Sequence, residues 1–98
     1  MGTIRQDIIS MLQESVMDLY QLSQSLGLSE KETMSHLPHV AQSVTARGGR
    51  FDVQPAECRD CGYQYCDRRR LSPPGRCPRC RRNRIDGPWY KIDFKPNP

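Results

Sequence analysis

The sequence predicts an α+β fold: three or four helices, a β-hairpin whose strands lie far apart in the chain, and a four-cysteine metal module inserted between them. Three observations lead there. Apolar residues recur at helical spacing between Ile4 and Val44, two short segments alternate near Arg50 and Trp89, and two Cys-x-x-Cys pairs lie 15 residues apart. A length of 98 residues allows one compact domain or two sub-domains too small to be independent.

The first helix is read from Ile4, Ile8, Met11, Leu12 and Val16, which share one face at a period of 3.6. Asp18 is the expected N-cap of a second, short helix with Leu19, Leu22 and Leu26 on one face. Gly27 stands where a helix end needs positive φ, and Ser29-Glu30-Lys31-Glu32 is a capping-box sequence that restarts a third helix. Its buried face is expected to be Met34, Leu37, Val40, Ala41 and Val44, with Gly48-Gly49 as the stop. Pro38 falls near its middle, which predicts a kink or two shorter helices with Pro38 opening the second. Arg50-Phe-Asp-Val-Gln54 and Trp89-Tyr-Lys-Ile-Asp-Phe94 then alternate as half-buried strands. Pairing them antiparallel satisfies both backbones and places a hairpin after the third helix. Residues 1–54 thus carry the helices and first strand, 55–88 the metal module, and 89–98 the returning strand and tail.

Five cysteines make an odd number, so spacing is the better guide than parity. Cys58-Arg-Asp-Cys61 and Cys77-Pro-Arg-Cys80 each form a turn that aims two sulfurs at one point, and together they complete a tetrahedron. Cys66 does not fit this symmetry and is expected to be a free thiol. A module of 34 residues is too small to fold on apolar burial alone, so the metal would be its core. Thiolate ligation fits a reducing compartment and hence the cytoplasm.

Charge is unevenly spread. Residues 1–54 carry four basic and six acidic side chains, a net of −2, while residues 55–98 carry eleven and five, a net of +6. No apolar run approaches the roughly 20 residues that span a bilayer, and the charged start has no signal-peptide core. Neither a membrane nor a secreted protein is expected. Catalysis is not expected either, because four sulfurs close the metal's coordination and no nucleophile–base pair or phosphate loop is present. His36 and His39 are three apart and read as solvent-facing or partner-facing.

The stretch Leu19-Tyr-Gln-Leu22-Ser23-Gln-Ser-Leu26-Gly27-Leu28-Ser29-Glu-Lys-Glu-Thr33-Met34-Ser35-His36-Leu37 resembles the helix-turn-helix of winged-helix transcription regulators, with Ser23 where Ala is usual. The resemblance implies that the third helix is a recognition helix whose Lys31, Thr33, Ser35, His36 and His39 face the major groove. Against simple groove reading, that helix opens with Glu30 and Glu32 and has Lys31 as its only positive residue before Arg47. The first knuckle, Cys58-Arg-Asp-Cys61-Gly62-Tyr63-Gln-Tyr65, resembles that of rubredoxins, and the second matches up to Arg81, which replaces the expected Gly. The loop between them is shorter than in electron-transfer rubredoxins, so one structural Zn2+ is expected rather than iron.

As a whole, the chain resembles a prokaryotic family of predicted transcriptional regulators that fuse a winged helix-turn-helix to a rubredoxin-like zinc ribbon. That resemblance implies transcription regulation through DNA, with Arg68, Arg69, Arg70, Arg76, Arg79, Arg81, Arg82 and Arg84 holding phosphates. A protein-interaction adapter of the transcription machinery is the alternative, since the acidic first half suits a basic partner. An electron carrier would require bound iron.

Overall fold

The computed structural model describes residues 3–65, 71 and 74–94. Helix α1 (Ile4–Glu14) opens on a two-way capping box: Thr3 accepts from the Gln6 N–H while the Gln6 side chain accepts from the Thr3 N–H. Strand β1 (Met17–Asp18) leads straight into α2 (Leu19–Leu26), whose first turn repeats the box with Asp18 and Gln21. Gly27 ends α2 at φ 70°, and Leu28 N–H reaches back to the Ser23 carbonyl at 3.0 Å. Ser29 caps α3 (Glu30–Ala46) by accepting from the Glu32 N–H. Among the described residues these three helices are the helical content, and none is long and apolar enough to cross a membrane.

Of the two outcomes expected at Pro38, division into two helices does not occur: helix α3 runs unbroken through it. Pro38 lies on the exposed side, where water can satisfy the Met34 carbonyl that its missing N–H leaves free. The opposite stripe of α3, formed by Thr33, Leu37, Val40 and Val44, is fully buried. It packs with Ile8, Ile9 and Leu12 of α1 and Leu19 and Leu22 of α2.

The expected hairpin is present: β2 (Arg50–Gln54) pairs antiparallel with β5 (Trp89–Asp93), with Phe51 opposite Ile92 and Val53 opposite Tyr90. Strand β1 adds to the other edge of β5, giving the order β1-β5-β2, a third strand that the sequence did not signal. Tyr90 and Ile92 point into the helical core, and Phe94 packs against it just past the strand end. Lys91 donates to the Gln13 carbonyl at 2.8 Å, placing a cation at the negative end of the α1 dipole. Between β2 and β5 lies a second, two-stranded sheet of β3 (Glu57–Cys58) and β4 (Ile85–Asp86), which carries the cysteines.

Candidate metal centre and its arginine surround

The two Cys-x-x-Cys turns are built alike, bond for bond. In the first, Gly62 N–H donates to the Cys58 carbonyl at 2.9 Å and Cys58 N–H to the Tyr63 carbonyl at 2.9 Å. In the second, Arg81 N–H donates to the Cys77 carbonyl and Cys77 N–H to the Arg82 carbonyl, both at 2.8 Å. Each turn needs a left-handed residue four places after its first cysteine. Gly62 meets this at φ 77°, whereas Arg81 adopts φ 65° with a full side chain, a conformation that costs an L-residue about 1–2 kcal/mol.

These turns bring Cys58, Cys61, Cys77 and Cys80 together, with all four Sγ atoms within 4.8 Å of one another. Cys58 and Cys80 lie 3.5 Å apart, as do Cys61 and Cys77. A tetrahedron of metal–sulfur bonds of about 2.3 Å has edges of about 3.8 Å, so the cluster has the size of a tetrathiolate site. Backbone N–H groups also point at the sulfurs: Arg79 and Cys80 donate to Cys77 at 3.4 and 3.5 Å, Tyr63 to Cys61, and Arg82 to Cys80. Such donors stabilise thiolate charge and fix ligand orientation.

Ionisation is uneven across the set. Burial opposes it at Cys77, but the N–H groups of Cys80 and Arg79 and the adjoining thiols outweigh burial and bring that thiol down to about 6. At Cys61 the Tyr63 N–H works in the same direction, yet desolvation and the neighbouring thiols prevail and push it up to about 12. A dication would resolve the competition by replacing the shared protons, so its uptake releases protons and weakens as pH falls. Tyr65 closes one side of the cluster, donating to the Arg76 carbonyl at 3.1 Å and meeting the Tyr63 ring edge-on at 5.0 Å. Burial, and then the charge of Cys77 and Cys58, pushes its hydroxyl up.

Residues 3–51 match the model of the PF0610-like N-terminal domain, and residues 55–95 match that of the PF0610 rubredoxin-like zinc beta-ribbon domain. The chain belongs to the PF0610-like family. The solution NMR structure of protein PF0610 from Pyrococcus furiosus is 26% identical, covers 97% of this chain and 94% of that one, and superposes with a TM-score of 0.78. A comparison with curated proteins returns no match. The ribbon reading of the cysteines therefore rests on spacing, sulfur geometry and family together.

In this PF0610-like chain the other expected site residues fall into several groups. Lys31, Ser35 and His39 are exposed along α3. His36 is half-buried, its Nδ1 accepting from Arg5 Nε at 3.3 Å. Thr33 is a correction: it is fully buried, and its hydroxyl donates to the Ser29 carbonyl at 2.8 Å. The helical period places Thr33 on the stripe of Leu37, Val40 and Val44, so it cannot face a groove. Arg76, Arg79, Arg81, Arg82 and Arg84 are exposed around the ribbon. Cys66, Arg68, Arg69 and Arg70 lie outside the described residues.

Two carboxylates escaped sequence reasoning. Asp60, inside the first knuckle, is within 3.9 Å of Arg82 and 3.8 Å of Arg84. Asp86 on β4 pairs with Arg59 at 3.4 Å. No sequence signal ties an acid to an arginine more than 20 residues away when the link runs through the two cysteine turns.

Proposed function

We propose that this chain is a non-catalytic, DNA-associated regulator holding one structural zinc ion. In this reading the three helices and the β1-β5-β2 sheet act as a winged helix, and the ribbon is an insertion at its wing. The order of α2, a three-residue turn, α3 and then a hairpin supports the winged-helix likeness. Four thiolates leave the ion no open position for water or substrate, which supports a structural role over a catalytic one. The family's zinc ribbon favours zinc over iron.

The observation that carries DNA association is where the charge sits. The ribbon exposes Arg76, Arg79, Arg81, Arg82 and Arg84, whereas α3 offers Lys31 as its one cation beside Glu30 and Glu32. Phosphate contacts supply most nonspecific affinity, so the ribbon, rather than the third helix, is the anchoring part. The test combines elemental analysis with a salt-titrated duplex-binding assay on the same protein. One zinc per chain is expected, and four phosphate contacts would weaken binding about a hundredfold between 50 and 200 mM salt. Metal-loaded protein that binds no duplex at 50 mM salt would overturn the reading.

One feature favours the adapter alternative. A depression of about 140 Å³ lies between the start of α2, the start of α3 and β4, lined by Asp18, Tyr20, Glu30 and Asp86 among others. Its acidity suits a basic partner surface. Salt-sensitive copurification of a protein partner, without duplex binding, would select this reading.

A further inference from the structure

We infer that the phosphate-contacting surface is the second knuckle, formed by Arg76, Arg79 and Arg81, and that Arg81 is present for contact rather than for shape. This inference rests on the DNA-associated reading and narrows it to one turn of the ribbon.

The first argument is the mismatch between two otherwise equivalent turns. Both knuckles make the same pair of backbone hydrogen bonds, and both require a left-handed residue. The first supplies Gly62, which adopts that conformation freely; the second supplies Arg81, which does not. A glycine would serve the fold better at position 81. Strain held at a solvent-exposed arginine points to a use for its guanidinium.

The second argument is that the ribbon's arginines divide by partner. Arg59 is paired with Asp86, while Arg82 and Arg84 share Asp60. These three are compensated within the ribbon, and a polyanion approaching them meets a carboxylate as well. Among the described residues, no carboxylate lies within ion-pair distance of Arg76, Arg79 or Arg81. Among those residues, the three side chains are exposed and carry charge that no carboxylate offsets.

The third argument is rigidity. The Arg76 carbonyl accepts from Tyr65, the Arg79 N–H donates to the Cys77 sulfur, and the Arg81 N–H donates to the Cys77 carbonyl. Three guanidinium groups without a carboxylate partner among the described residues are thus carried, within six residues, on backbone fixed beside the cysteine cluster. Planar forks on a fixed base suit a row of phosphates, the repeating anion of a duplex backbone.

The experiment uses the full-length, zinc-loaded chain and a mixed-sequence DNA duplex, with anisotropy read from 50 to 200 mM salt and thermal unfolding measured in parallel. Arg81→Gly should lower the salt slope by about 0.9 and weaken binding about eightfold at 0.1 M salt, while raising the unfolding temperature. Arg81→Lys keeps the charge and should keep the slope. Arg79→Ala should reproduce the loss without touching the left-handed position, and Arg82→Ala should change the slope less than either. Wild-type affinity in both Arg81→Gly and Arg79→Ala would overturn the inference while leaving DNA association standing. If the wild-type chain binds no duplex, both fall together. Polyglutamate, titrated as a direct ligand, gives the cause in that event: Arg81-dependent binding to it, with none to duplex, overturns the phosphate assignment and gives the knuckle to an acidic protein.

Discussion

Helices α1 to α3 and strand β5 bury ten apolar side chains in one cluster, from Ile8 and Leu12 through Leu37 and Val44 to Tyr90 and Ile92. Across the ribbon, the buried described residues are Ala56, Tyr65, Pro74, Pro88 and two of the thiols themselves, Cys58 and Cys77. The first part has what a small domain needs to fold by removing area from water. The second lacks it, and its shape follows from four sulfurs and the N–H groups aimed at them. One chain therefore holds two stability regimes, joined through β5, whose Tyr90 belongs to the apolar core while its hydroxyl donates to the Leu71 carbonyl on the ribbon side.

Removing the metal is the strongest way to break this comparison. Structural zinc contributes about 10–16 kcal/mol of apparent binding free energy in small domains, more than the ribbon's own burial can replace. Chelation, or Cys77→Ser, should collapse the NMR dispersion of residues 57–86 while the helical circular dichroism remains. The helical part would then close a loose loop of 34 residues between β2 and β5, at an entropic cost of about 3 kcal/mol. Its melting temperature should fall without its helicity disappearing. Simultaneous loss of helix and metal would mean that the two parts form a single cooperative unit.

The converse substitution acts on the apolar core. Leu37→Ala removes a fully buried side chain from the centre of α3 and should cost about 2–5 kcal/mol, with the metal stoichiometry unchanged. Pro38→Ala should act in the opposite direction. It restores the missing N–H of an unbroken helix at an exposed position, and a gain of up to about 3 kcal/mol in chemical denaturation is expected. No gain would mean that surrounding structure already absorbs the proline.

Legibility in the sequence follows the same division. The apolar period located all three helices, and the local chemistry of Asp18, Gly27 and Ser29 located both ends of α2 and the start of α3, because caps act within four residues. The Thr3 cap and the end of α1 at Glu14, two residues before Val16, were not legible. The β2–β5 hairpin was legible from alternation and from the need to pair lone strands. Strand β1 was not, since two residues carry no period and their pairing with Trp89 and Tyr90 spans the chain. Pro38 does not divide α3, because Leu37, Val40 and Val44 hold the helix from its other face against the proline's local cost. In the ribbon, Cys-x-x-Cys spacing named the four cysteines whose sulfurs the structure gathers, yet the pairing of Asp60 with Arg82 and Arg84 depends on a fold that only the assembled cluster creates.

Thr33 offers the smallest and most discriminating test, because a helix-turn-helix likeness and a burial pattern assign it opposite roles. On a recognition helix it would meet base edges; in this structure its side chain is enclosed and its hydroxyl is bonded within its own helix to Ser29. Thr33→Val keeps the shape and removes that bond. The acceptor left behind, the Ser29 carbonyl, still receives the Thr33 N–H at 2.9 Å, so the loss should stay near the about 0.5–1.5 kcal/mol of a single hydrogen bond. Under the proposed function, duplex affinity and its salt slope should be unchanged, since the ribbon's arginines are untouched. A variant of wild-type stability with weakened duplex binding would return Thr33 to the contact face and make α3, rather than the ribbon, the part of the chain that meets DNA.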